Sequence, residues 1–174
     1  MCAFGKLLYN NSLFGFGIFE LGFKNMRAVI QRVSKASVRI SDKTAGQIKH
    51  GLVVLAAIGE DNSDQDITYM AEKIANLRIF EDDAGKMNKS VLEVKGGILA
   101  ISNFTLYGDV RRGRRPDFTS AAKPDKAKPL FDKFVELLKG YSLKVEVGEF
   151  QAMMDVELVN SGPVTILLDS KKSF

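Results

Sequence analysis

Few residues in this chain can do chemistry, and two short segments stand out. Ser102-Asn103-Phe104-Thr105 puts two hydroxyls and an amide within four residues. They follow the apolar run Ile98-Leu99-Ala100-Ile101, which suits a strand buried on both faces. A strand end exposes backbone N–H groups and short polar side chains, and donors fixed there stabilise a developing oxyanion. Thr105 is a candidate nucleophile, although a hydroxyl needs a base to activate it. The second segment is Ser161-Gly162-Pro163, set between two apolar runs. Glycine allows unusual backbone angles and close approach of another group. Taken singly, each segment also fits a plain strand cap or a plain turn.

Other chemistries are poorly supplied. His50 is the only histidine and Cys2 the only cysteine. No disulfide can form within the chain, which points to a reducing, cytoplasmic compartment. The soft ligands of a zinc site are missing, so no metal and no other cofactor is expected. Only His50 could serve a histidine-based triad. It stands beside Gly51 at the end of a short strand and reads as an exposed turn residue.

Charge is distributed unevenly. From Arg111 to Lys128, seven basic residues (Arg111, Arg112, Arg114, Arg115, Lys123, Lys126 and Lys128) meet only Asp117 and Asp125. That segment carries +5, against +4 for the whole chain. Such a loop can hold phosphates, and it can equally be a solvated surface.

The elements that must position these residues begin at Met26. Ala28 to Val33 and Ala36 to Ile40 read as strands, Asp42 to Gly46 as a turn, and Gln47-Ile48-Lys49 as its return. Leu52 to Ile58 is a central strand. Ser63 with Asp66 forms a capping box in acidic form. It opens a helix whose buried face is Ile67, Met70, Ala71, Ile74 and Leu77. Glu81 to Gly85 is a loop. Ser90 to Val94 and Gly97 to Phe104 read as strands. A second helix spans about Asp125 to Lys139, with Leu130, Phe131, Phe134, Leu137 and Leu138 inward. Pro129 falls in its first turn and Gly140 caps its end. Leu143 to Val147, Met154 to Val159 and Val164 to Leu168 complete an α/β fold: a mixed sheet with two helices packed on it.

Residues 1–25 read differently. They hold five of the twelve phenylalanines and the single cysteine. Their longest uncharged run, Leu7 to Phe19, is too short to span a bilayer. They match neither a secretory signal nor a mitochondrial leader. The expectation is an extension outside a domain at 26–174, with no membrane partner.

Together the two chemical segments resemble those of a known family. Ser102-Asn103-Phe104-Thr105-Leu106 resembles the Ser-Gln-Phe-Thr-Leu motif of the D-aminoacyl-tRNA deacylases. Asn160-Ser161-Gly162-Pro163-Val164-Thr165 resembles their Asn-x-Gly-Pro-Val-Thr motif. Met26 to Val33, Arg78-Ile79-Phe80, Gly85 to Asn88 and Arg115-Pro116-Asp117-Phe118 are similar as well.

The resemblance implies a strongly curved, barrel-like mixed sheet with two main helices, and a homodimer. It implies hydrolysis of D-aminoacyl-tRNA, and of mischarged glycyl-tRNA(Ala), with Ser102, Asn103, Phe104 and Thr105 at the catalytic position. It further implies a cis Gly162–Pro163 peptide that enters the partner subunit's site and excludes an L side chain. Catalysis would be assisted by the 2′-hydroxyl of the tRNA, which agrees with the scarcity of histidine. The basic residues Arg111, Arg112, Arg114 and Arg115 then become candidates for tRNA phosphates. Two other readings remain: a related deacylase that edits L-alanyl-tRNA, and a non-catalytic tRNA-binding protein. Asn103 departs from the usual Gln. Its amide would sit roughly 1.5 Å back, about one carbon–carbon bond.

Overall fold

A computed structural model describes residues 25–172. The expected extension, all but Asn25, lies outside the described residues. The strands are β1 (Met26–Ile40), β2 (Lys43–Ile48), β3 (Gly51–Ile58), β4 (Phe80–Glu81), β5 (Met87–Lys89), β6 (Gly97–Ser102), β7 (Lys144–Val147) and β8 (Asp155–Asp169). The helices are α1 (Asp64–Ala75) and α2 (Pro124–Gly140), and a 3-10 turn covers Phe104–Tyr107. The main sheet runs β2-β1-β3-β6-β7, with β8 on the free side of β1. Pairs β3/β6 and β6/β7 are parallel, and β1 is antiparallel to β2, β3 and β8. The result is a mixed, curled half-barrel sheet carrying two helices.

The mixture follows from connectivity. Parallel neighbours need a crossover long enough to return the chain. α1 lies in the connection from β3 to β6, and α2 in that from β6 to β7. Both helices cover the same face, where Ala28, Ile30, Leu52, Val54, Ala56, Ile98 and Ala100 meet Ile67, Met70, Ile74, Phe131, Phe134 and Leu138. The alternate residues of the same strands, Val33, Val53, Leu99 and Ile101, form a second core with Ala36, Val38 and Ile48. Strands buried on both sides read as continuous apolar runs, as β3 and β6 do. Register shifts in β1/β2 and β1/β8 locally increase the twist.

The α1 capping box is present: Ser63 Oγ accepts from Asp66 N–H, and Asp66 Oδ2 accepts from Ser63 N–H. His50 is exposed, edge-on to Phe80 at 5.0 Å. Several expectations need correction. The runs in β1 are one strand, not two, and β8 passes unbroken through Ser161-Gly162-Pro163. Ser90 to Val94 is a turn rather than a strand. Ser90 N–H and Oγ both donate to Glu93 Oε2, at 2.7 and 2.8 Å, which curls the segment as a capping box would. β6 ends at Ser102, before Phe104. α2 begins at Pro124, so Pro129 lies in its second turn. Gly140 is the last helical residue, and Tyr141 is the cap.

Candidate active site

The C-terminal end of β6 opens into a cavity of about 850 Å³. Ser102, Asn103, Phe104 and Thr105 form one wall, so all four expected catalytic residues come together. Phe118, Phe150, Met153, Met154, Val156 and Leu158 are among the opposing side chains. None of the lining residues is ionisable. Polar groups in such surroundings act in a low dielectric, where each hydrogen bond counts for more than in water.

Local hydrogen bonds shape that wall. Asn103 N–H donates to Ala56 O at 2.8 Å, which ties the strand end to β3. The Asn103 side chain turns back on its own segment. Its Oδ1 accepts from Thr105 N–H at 3.3 Å and from Thr105 Oγ1 at 2.5 Å. Asn103 is therefore the N-cap of the 3-10 turn, a role that short Asn side chains fill well. Ser102 and Asn103 are half-buried, while Phe104 and Thr105 are exposed. Tyr107 closes the turn from beneath. Its hydroxyl donates to the Asn25 carbonyl, Arg27 stacks on its ring, and burial pushes its phenol pKa up.

The basic segment is attached to this cavity. Asp109 and Asp117 pair through their backbones at 2.8 and 2.9 Å, closing a loop with Arg111, Arg112, Arg114 and Arg115 at its exposed tip. Phe118, just past that closure, packs edge-on against Phe104 at 5.1 Å. Arg111 forms a fork with Asp109, and its hydrogen bonds hold the Asp109 carboxyl down at about 2.

The Gly162–Pro163 peptide is cis, and both residues are exposed. Neither lines the cavity of its own protomer. Register explains this separation. Ser102 is level with Ala56, Ala28 and Leu168 across the sheet. Gly162 lies six residues from Leu168 along β8, roughly 20 Å at strand spacing. The corner is braced from both sides. Asn160 Oδ1 accepts from Val164 N–H at 2.7 Å, and Asn160 Nδ2 donates to Val164 O at 3.1 Å. Arg32 is 6% exposed; its Nε donates to Ser161 O at 2.9 Å and its Nη1 to Ile79 O at 2.7 Å. At Gly162, φ is +134°, and a Cβ would lie 2.7 Å from Val164 Cγ2 and 3.0 Å from Arg32 Nη2.

Arg32 and Asn160 were not among the expected site residues. A signal for Arg32 existed: Ala28, Ile30 and Arg32 alternate, so a charge occupies the register of a buried face.

The family described as D-Tyr-tRNA(Tyr) deacylase matches residues 29–169. The chain belongs to this family of hydrolases. The D-aminoacyl-tRNA deacylase of Thermosipho africanus is 58% identical over 149 residues, covering 86% of this chain and all of that one. The D-aminoacyl-tRNA deacylase of Koribacter versatilis is 57% identical over the same length. Among solved structures, one described as c-Myc DNA Unwinding Element Binding Protein is similar at a TM-score of 0.77 and 38% identity. It covers 82% of this chain and 97% of its own. A probable eukaryotic D-amino acid tRNA deacylase shares the fold at a TM-score of 0.74 and 18% identity.

Among the described residues no helix is long and apolar enough to cross a membrane. Nor, among the described residues, is any group of three or more His, Cys, Asp or Glu side chains placed to hold a metal ion.

Proposed function

We propose that this D-aminoacyl-tRNA deacylase family member cleaves the ester between a D-amino acid and the terminal ribose of tRNA. Water adds to the ester carbonyl, the bond to the ribose oxygen breaks, and that oxygen takes up a proton. The observation that carries this reading is the cavity at the end of β6, polar on one wall and without an ionisable side chain. With no acid or base in its lining, the nearest proton-transfer group is the substrate's own vicinal 2′-hydroxyl. The protein's part is then to place the ester and steady its oxyanion, through Ser102 and the Phe104 N–H. Thr105 is a wall of the site.

Chirality is read elsewhere. Gly162 and Pro163 are exposed, rigidly braced and remote from their own cavity, which suits insertion into the cavity of a second copy. β8 also exposes Val156 and Leu167, apolar surface that a homodimer would cover. Backbone pressed against the substrate Cα rejects an L side chain whatever its size, as side-chain pockets cannot. Glycine has no side chain to reject, so glycyl-tRNA(Ala) also passes. The exposed loop from Arg111 to Arg115, joined to the cavity through Phe118 and Phe104, supports a role in holding acceptor-end phosphates. The extension read at residues 1–25 takes no part in this reading; deleting residues 1–24, which spares the Asn25 carbonyl that Tyr107 and Gly59 donate to, should leave both folding and rate intact.

Incubation with D-tyrosyl-, L-tyrosyl- and glycyl-tRNA tests the reaction. Release from the D and glycyl esters, with the L ester spared, is expected. Release from L-alanyl-tRNA alone would mean an L-alanine editor, and tRNA binding without release a non-catalytic binder. A tRNA ending in 2′-deoxyadenosine should lose at least a hundredfold in rate; an undiminished rate excludes the substrate hydroxyl.

A further inference from the structure

The opposite end of β6 carries a second groove, of about 930 Å³. Its rim holds Lys35, Lys49, His50, Lys95 and Lys144, against one carboxylate, Glu157. All five basic residues are exposed. Lys144 pairs with Glu146 at 3.2 Å. Lys35, Lys49 and Lys95 have no ion-pair partner among the described residues. Lys89, Lys128, Lys133, Lys139 and Lys171 each have one, whereas Lys43, Lys73, Lys86 and Lys123 do not, so it is convergence on one concavity that sets the three apart. Cations from β1, the β2–β3 turn and the turn before β6 thus converge on one concavity without an ion pair among the described residues, beside the paired Lys144 of β7. Lys95 adopts φ of +53°, a conformation that usually favours Gly or Asn.

We propose that this groove binds the phosphodiester backbone of tRNA away from its aminoacylated end. The proposal rests on the tRNA reading above and extends it to a second surface. Unpaired, strongly hydrated ammonium groups are suited to phosphate as point charges. Each phosphate they neutralise releases condensed counterions and so contributes to binding independently of base sequence. Geometry connects the two sites. Leu158 walls both the groove and the catalytic cavity, so they adjoin across β8. Gly97 at the groove and Ser102 at the cavity are five residues apart on β6, roughly 16 Å. An acceptor arm seated on the groove can deliver its 3′ end into the cavity. An uncharged cavity that accepts many D side chains supplies little affinity by itself, and the groove would provide it without reading sequence.

The variant K35Q/K49Q/K95Q tests this, because its three side chains are exposed and unpaired. For uncharged tRNA, the slope of log affinity against log salt should become shallower by about 2 to 3, near 0.7 to 0.9 per lost contact. KM for D-tyrosyl-tRNA should rise at least tenfold. Hydrolysis of a D-tyrosylated CCA trinucleotide should stay within twofold of wild type. An unchanged salt slope overturns the proposal, and so does an equal loss on the trinucleotide, which would signal damage to the catalytic site. Groove-dependent binding to phosphatidylserine vesicles with tRNA affinity unaltered would assign the surface to membranes instead and overturn it too. Wild-type protein that binds tRNA through these lysines but releases no D-amino acid supports the groove while removing the reaction.

Discussion

The strand end at Ser102–Thr105 and the corner at Gly162–Pro163 are both short polar interruptions of apolar strands, yet they are held in opposite ways. The strand end is organised locally. Asn103 caps a turn two residues on, and every hydrogen bond that orients Thr105 lies within the motif or its own turn. The corner has a local pair, Asn160 with Val164, but it is also held from a distance by Arg32, which is 129 positions away in sequence and almost wholly buried. A wall that only has to offer donors tolerates small adjustments. In the role proposed for it, a backbone wedge that excludes one enantiomer has to resist being pushed, and a buried guanidinium with two carbonyl acceptors would supply that resistance.

Removing Arg32 should therefore produce the largest effect. Arg32→Leu leaves Ser161 O and Ile79 O without their donors, and a buried unsatisfied carbonyl costs about 1–3 kcal/mol. A stability loss of about 2–4 kcal/mol is expected in urea unfolding. In folded protein at low temperature, hydrolysis of the L ester should rise at least tenfold relative to the D ester. Arg32→Lys should recover only part of this, because an ammonium cannot reproduce the fork. If stability falls and discrimination is untouched, Arg32 serves only the fold.

A second substitution separates stability from selectivity. Beyond the corner, the C-terminal end of β8 is pinned to α1 by Lys171, whose ammonium lies 3.0 Å from Asp66. Burial alone would raise the Asp66 carboxyl, but hydrogen bonds from Ser63, Ser170 and Lys171 outweigh it and bring the pKa from 3.8 to about 2. The folded-state value is depressed, so the contribution, about 2 kcal/mol, is complete above pH 3.8 and is lost as pH falls through about 2. Asp66→Asn should flatten that acid limb in urea midpoints measured from pH 6 to 2. It should leave D-against-L selectivity unchanged, since the corner does not depend on this pin. A selectivity loss comparable to that of Arg32→Leu would show that any loosening of β8 suffices.

The same contrast governs how much of the molecule is legible in its sequence. The α1 capping box, the apolar runs of β3 and β6 and the strand end at Ser102 are local patterns, and they can be read directly. Ser90 to Val94 is misread because Val91 and Val94 suggest a strand, while Ser90 and Glu93, three residues apart, already spell a cap. β8 reads as two strands because proline and glycine punctuate chains, whereas here the interruption is absorbed by a shift of register against β1. The brace at Arg32 is the hardest to foresee. Its alternation with Ala28 and Ile30 marks it as an inward charge, but only tertiary pairing of β1 with β8 reveals which carbonyl it meets. Asn103 differs again: its amide faces back to Thr105, so the shortened side chain changes the turn's own cap as well as its reach.

Thr105→Ala should have the smallest effect, and it tests the local half of the comparison most directly. Thr105 Oγ1 directs its proton at the Asn103 amide oxygen, a group that cannot accept it as a base. No ionisable side chain lines the cavity to take that proton instead. The variant removes one neutral hydrogen bond on an exposed turn, worth about 0.5–1.5 kcal/mol. If that bond only steadies the wall, kcat on D-tyrosyl-tRNA should remain within about threefold of wild type, with Thr105→Ser indistinguishable from it. Asn103→Ala removes the same bond together with the backbone cap, so it should be the more damaging of the two. A hundredfold fall confined to Thr105→Ala, with Thr105→Ser retaining the rate, would make the hydroxyl a nucleophile after all. It would also require a base from outside the cavity lining.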